Sequence, residues 1–292
     1  MREGKIRNFC YACFRRVCKK LQYSRISRYK LIGRLYDNVL SFLRPFDVSL
    51  ENVAGHKMIL DLRDGTCKMM SQFDFEPATG AALKEQLKPG MTFIDIGAHV
   101  GYFTLLGAKC VGCEGKVYAF EPVVRNFDML KTNVELNGYT NVSLVRMAAS
   151  DKNGSRTMRL SVDSAFHSLK LDAGKNSEIV KTITIDHFCR RHKIGKVDVV
   201  KLDVEGGELD ALKGMKNTIR RNKELTLIVE YIPGNLIAIG SSPRKFANVL
   251  RRLGFNEFIL LHEREMKPIS LREIIGLKDD IYNILAKKNP EK

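Results

Sequence analysis

From Met91 onward the chain alternates short apolar runs with longer stretches whose apolar positions recur at helical spacing. The runs at 92–96, 116–120, 142–147, 197–203, 225–231, 256–262 and 281–286 predict strands. The stretches 101–110, 123–137, 206–221 and 243–253 predict helices. Strand then helix, repeated, specifies an α/β fold with a doubly wound, mostly parallel seven-stranded sheet. The last two strands follow one another without a long crossover, which predicts an antiparallel edge strand. An additional antiparallel pair is expected at 155–160 and 179–185, with Asp186 capping a short helix through His192. Upstream, Val53–Asp64 reads as a hairpin around Gly55-His56, and Pro77–Leu87 as a helix before the turn Lys88-Pro89-Gly90.

The first 45 residues follow a different rule. Ile6, Phe9, Cys10, Cys13, Phe14, Val17 and Leu21 form one helical stripe, and Ile32, Leu35, Tyr36, Val39, Leu40 and Leu43 form another that stops at Pro45. Of the formal net charge of +16, this segment supplies +10, from 12 Lys and Arg against 2 acids. We therefore expect a basic helical N-terminal appendage (1–50), a lead-in of strands and helix (51–90) and a main domain (91–292). The basic faces suit packing on the main domain, an anionic membrane surface, or a polyanion. The sequence has neither an apolar run long enough for a membrane span nor a signal-peptide pattern, so a cytoplasmic protein, membrane-peripheral if the appendage docks there, is expected. The seven cysteines show no bridging framework, and Cys10/Cys13 and Cys110/Cys113 read as buried thiols rather than zinc ligands.

In an open α/β sheet, ligands bind at the carboxyl ends of the strands, and there this sequence places Asp95, Glu121, Asp151, Asp203, Glu205 and Glu230. The turn after the first main strand, Asp95-Ile-Gly97-Ala98-His99-Val-Gly101, lacks the three-glycine spacing of a dinucleotide fingerprint, and a carboxylate at Asp95 disfavours a pyrophosphate. A cofactor with a cationic head, S-adenosylmethionine, suits Asp95, and the two oxygens of Glu121 suit a ribose diol.

The segment Val199–Gly214, VVKLDVEGGELDALKG, puts Lys201 and Asp203 on one face of an apolar strand. A desolvated lysine there has a lowered pKa and accepts a proton, or else forms an ion pair that fixes the strand end. Either Asp203 or Glu205 is the candidate base for an acceptor hydroxyl, with Lys201 setting the charge around it. The alternative to this metal-free arrangement is a divalent cation on Asp203 and Glu230. His167 is a further candidate from an insertion loop, whereas His187 and His192 read as structural.

Several of these segments together resemble the FkbM family of S-adenosylmethionine-dependent methyltransferases, over roughly residues 75–287. They are FEPAT at 75–79, FIDIGAHVGYFTLLGA at 93–108, AFEP at 119–122, NVELNG at 133–138, AASD at 148–151, TITID at 182–186, DVVKLDVEGGELDALKG at 198–214 and IVEY at 228–231. The resemblance implies a class I (Rossmann-like) methyltransferase fold, with cofactor contacts from Glu76, Asp95, Gly97, Ala98, His99, Gly101, Tyr102, Phe103, Glu121, Pro122, Ser150, Asp151 and Asp203. It also implies O-methylation of a hydroxyl on a sugar, glycan, glycolipid or secondary metabolite. His99 departs from the family's usual asparagine. RNA methylation, with the basic appendage holding the nucleic acid, is the competing expectation.

Overall fold

The computed structural model describes residues 13, 17, 48–161, 167–171 and 176–288. The two amphipathic helices expected within residues 1–45 lie outside this set, apart from helical backbone at Cys13 and Val17. The chain forms two compact units, residues 1–75 and 76–292, so the expected lead-in segment 51–90 is divided between them.

In the first unit, β1 (Val48–Val53) and β2 (His56–Asp61) pair antiparallel with Val53 opposite His56. Ala54 and Gly55 between them have φ of 51° and 83°, the left-handed pair that matches a two-residue hairpin turn to strand twist. The hairpin thus starts at Val48, upstream of the expected Val53. Helix α1 (Gly65–Gln72) follows, capped by Asp64, whose carboxylate accepts the Cys67 N–H at 2.9 Å.

The second unit begins with α2 (Pro77–Gln86) and then builds the sheet from β3 (Thr92–Ile96), β4 (Lys116–Phe120), β5 (Val142–Val145), β9 (Val199–Leu202), β10 (Thr226–Tyr231), β11 (Glu257–His262), β12 (Glu265–Pro268) and β13 (Tyr282–Lys287). Helices α3 (Tyr102–Val111) and α4 (Val124–Leu136) make the first crossovers, and their strands pair in parallel. The order is β12-β11-β13-β10-β9-β3-β4-β5. This is the doubly wound, mostly parallel α/β class expected, with two corrections. The sheet has eight strands rather than seven, because the polar segment Glu265–Pro268 adds an edge strand to β11. The antiparallel strand β13 is not an edge; it lies between β10 and β11, with all but the last of its residues buried.

A smaller sheet, β6 (Ala148–Ala149), β8 (Asn176–Ile183) and β7 (Gly154–Leu160) in that order, contains the expected antiparallel pair. The short helix after it, α5 (Ile185–Arg191), is capped by Thr184, which accepts the His187 N–H, and not by Asp186. Asp186 instead accepts the Asn217 and Thr218 N–H groups and the Thr218 hydroxyl. The single helix expected over 206–221 is accordingly two, α6 (Glu208–Gly214) and α7 (Lys216–Arg221), and Asp186 holds the start of the second. At the break, Gly214 lies so close to the Ser150 carbonyl that a Cβ would sit 2.0 Å from its oxygen. One apolar core covers a single face of the sheet, where register partners line up from Ile94, Phe120 and Leu202 to Tyr231 and Ile284, with Phe246 packed on them. Completing the unit are α8 (Pro233–Ala238), α9 (Pro243–Arg252) and α10 (Leu271–Ile275). Among the described residues, no helix is long and apolar enough to cross a membrane.

Candidate active site

The turn after β3 is held by its own backbone. The N–H groups of Gly97 and Ala98 both donate to the Phe120 carbonyl at the end of β4, at 3.0 and 2.9 Å, and the His99 N–H donates to Glu121 Oε2 at 2.9 Å. Glu121 Oε1 accepts the Val123 N–H at 3.0 Å, and the Asn126 side chain also bonds the carboxylate. A carboxylate offers about four lone-pair sites, so Glu121 anchors the turn and still has acceptor capacity for a ribose hydroxyl. Gly97 has φ of 83°, and a Cβ there would meet the Asp203 carbonyl oxygen at 1.7 Å. Its lack of a side chain therefore serves the close approach of two strand-end loops. Gly101, at φ of 101°, similarly faces the Leu130 side chain at 2.7 Å. His99 has a left-handed φ of 51°, a conformation that asparagine and histidine enter more readily than most residues.

Asp95 is fully buried. Its Oδ2 accepts the Thr104 hydroxyl at 2.6 Å, while its Oδ1 is buried without a hydrogen-bond partner among the described residues. Such an orphaned acceptor at a strand end fits the cationic head of S-adenosylmethionine. Thr104 lies in the quoted turn segment, and its role becomes legible only once Asp95 needs a donor.

Lys201 pairs in register with Asp95 across β3 and β9, so both side chains point to one face. It is 2% exposed, its Nζ lies 2.7 Å from Asp203 Oδ2, and it sits 4.5 Å above the Phe103 ring. Burial acts to lower its pKa, but the negative charges of Asp203, Glu76 and Asp95 overcome that and hold it above the usual lysine value. The expectation of a lowered lysine pKa is therefore corrected: Lys201 stays an ammonium and is not a base.

Carboxylates crowd around this one cation. Glu76, at a left-handed φ of 39°, accepts the Asn283 amide at 3.0 Å, and burial pushes its pKa up to about 7, with the Asp203 charge adding to the rise. Burial also raises Glu121 to about 8, and burial, Asp203 and Glu208 raise Glu205 to about 9. Glu208, which sequence reasoning missed, accepts the Gly206 and Val204 N–H groups and is pushed by burial to about 7. Oxygens of Asp203, Glu205 and Glu230 lie within 4.8 Å of one another.

A buried acid with a raised folded-state pKa contributes stability that is complete below its unfolded pKa and is lost as pH rises through the folded one. For Glu205 that window runs from 4.5 to about 9. The ligand-free protein is therefore expected to lose thermal stability from pH 6 to pH 9, and Glu205→Gln to show a loss smaller by about 2–4 °C. Equal slopes in a differential scanning series would refute this.

Other expected site residues have contacts of their own. Asp151 is held by Arg156 at 2.7 Å, and the Ser150 N–H donates to the Ile183 carbonyl, so both are tied to the small sheet. His167 accepts the Ser161 N–H at 2.9 Å within its own loop. His192 packs on Phe188, ring centroids 4.4 Å apart. Tyr102 meets Phe103 edge to face, and Pro122 follows Glu121 between β4 and α4. Cys110 and Cys113 are free thiols, but the pair is not buried as expected: Cys110 is half-buried and Cys113 exposed.

A family model described as the methyltransferase FkbM domain matches residues 95–257, more than half of the chain and all of the turn and strand ends just described except Glu76 and Asn283. The chain belongs to the FkbM methyltransferase family. The FkbM domain is a methyltransferase domain whose donor is S-adenosylmethionine. Hexuronic acid methyltransferase AglP of Haloferax volcanii is 30% identical over 138 residues, 47% of this chain and 55% of the relative. A protein-L-isoaspartate O-methyltransferase of Methanococcoides burtonii is 37% identical over 60 residues, 20% of this chain and 30% of the relative. The chain thus spans about half or less of the length of these curated relatives. Among solved structures, a SAM-dependent O-methyltransferase of Thermotoga maritima aligns at 15% identity and a TM-score of 0.44, covering 87% of this chain and 81% of that one.

Proposed function

We propose that this FkbM protein O-methylates a sugar, glycan or glycolipid hydroxyl, with the Asp203–Glu205 pair receiving the hydroxyl proton. The observation that carries the reading is the cluster of Asp203, Glu205 and Glu230 oxygens beside a lysine that remains charged. When bound, S-adenosylmethionine supplies an electrophilic methyl group on a sulfonium. The Asp95 carboxylate is positioned to offset positive charge at the β3 end, and Glu121 to accept from a ribose. A hydroxyl attacks well only as its proton leaves, and the Asp203–Glu205 pair, with Asp203 ion-paired to Lys201, is placed to receive it. Lys201 holds Asp203 in place through their 2.7 Å ion pair. The hexuronic acid relative supports a sugar acceptor. RNA fits less well, because a cleft lined by these acids repels phosphodiesters.

The test is a screen of neutral and acidic sugar acceptors with methyl-labelled donor, run beside Asp203→Asn. Turnover is expected to fall at least about 100-fold in the variant, the usual scale of losing an acid–base group. A variant with unchanged cofactor affinity and full turnover would remove Asp203 from the proposal.

A further inference from the structure

The cluster at the ends of β9 and β10 has features that proton transfer does not require. Glu230 is 8% exposed, and among the described residues its carboxylate accepts no hydrogen bond and makes no ion pair. It points to oxygens of Asp203 and Glu205 within 4.8 Å. Directly opposite Glu230 in the β10–β13 register stands Asn283, 6% exposed. Its amide nitrogen is given to Glu76, which leaves Oδ1 buried and without a partner among the described residues. Among the described residues, the Glu205 carboxylate receives only the Asn235 amide, at 3.3 Å, and Asp203 is paired only with Lys201. Two acids on one loop, a third unpartnered acid from the next strand and an orphaned amide oxygen beside it leave negative charge and acceptor capacity unmet in one place.

We propose that Asp203, Glu205 and Glu230 bind a divalent cation, with Asn283 Oδ1 beside it. The donors are all oxygen and include no thiolate or imidazole, which selects a hard ion of the Mg²⁺, Mn²⁺ or Ca²⁺ type over zinc. Each acid offers the ion one oxygen, and the remaining oxygens of the Asp203–Glu205 pair stay available to a proton. The ion gives an acceptor oxygen a partner and lets an acidic sugar enter a cleft that would otherwise repel it. This role rests on reading the cleft as the acceptor site; the binding itself does not.

Titration of Mn²⁺ into the chelator-stripped full chain, followed by loss of the free-ion electron paramagnetic resonance signal, tests the site without donor or acceptor. One ion is expected to bind and to be displaced by Mg²⁺ or Ca²⁺. Affinity should fall at least tenfold in Glu230→Gln and in Glu205→Gln and stay unchanged in Glu178→Gln, a half-buried position on β8 in the smaller sheet, with thermal midpoints checking the fold of each variant. No binding by the wild type, or binding equal in all four proteins, overturns the proposal and leaves the methyl-transfer reading intact. Mn²⁺ binding of the expected pattern in a protein that methylates no hydroxyl acceptor supports the cation site and removes the assigned role.

Discussion

Replacing Lys201 by methionine is expected to cost about 3–5 kcal/mol at pH 8, the scale measured when one partner of a buried ion pair is removed. The side chain is 2% exposed, so no water takes its place, and Asp203, Glu76 and Asp95 lose the positive charge that compensates them. Against a total stability of roughly 5–15 kcal/mol, that loss is large enough to populate unfolded protein. The deficit should depend on pH in a fixed direction. With the ammonium gone, Glu76 and Asp95, both already raised by burial, rise further, so the variant is nearest to wild type in mild acid and falls away as pH rises. Urea denaturation midpoints at pH 5.5 and pH 8 measure both effects. A variant within 1 kcal/mol of wild type at both values, on the roughly 1.4 kcal/mol per pH unit scale of such linkage, would mean that Lys201 does not hold the cluster together.

Gly97→Ala should be comparably severe for a different reason. Its φ of 83° costs an alanine about 1–2 kcal/mol, and the new methyl would also sit 1.7 Å from the Asp203 carbonyl oxygen, backbone that cannot swing aside. Gly138, at φ of 68° with nothing within 4 Å of where a methyl would lie, isolates the first cost. We expect Gly138→Ala to lower the melting temperature by a few degrees and leave S-adenosylmethionine affinity unchanged. Gly97→Ala should lower it much further and abolish binding, because the β3 turn and the β9 loop must separate to admit the methyl. Calorimetric titration beside thermal melts decides this, and similar behaviour of the two variants would show that loop contact is unimportant.

The residues that make the fold readable are those whose effects are local. Alternating strand and helix periodicity needs only neighbouring positions, and an acid at a strand end is visible as such, so Asp95, Glu121 and Asp203 can be placed from the sequence. What stays hidden depends on distant pairing. The charge state of Lys201 cannot be read from Asp203 alone, because Glu76, far upstream, and Asp95, on the adjacent strand, also act on it. Glu208 looks like an ordinary acid in a helical first turn, yet its carboxylate ties down the backbone of the loop before it. Asp186 reads as a cap for the helix it begins, but its carboxylate reaches α7 instead. Nothing in residues 282–287 marks them as an interior strand, since a short apolar run pairs equally well at an edge.

That last strand has a consequence for how the protein is made. β10 and β11 are synthesised well before β13, yet they do not touch in the sheet, and each presents its open side to the gap β13 will fill. A nascent chain therefore carries two unzipped hydrogen-bonding edges until residues 282–287 leave the ribosome, the condition under which strands recruit wrong partners. Asn283 arrives opposite Glu230 only when β13 inserts, so the cleft gains this amide in the same step that joins β10 to β11.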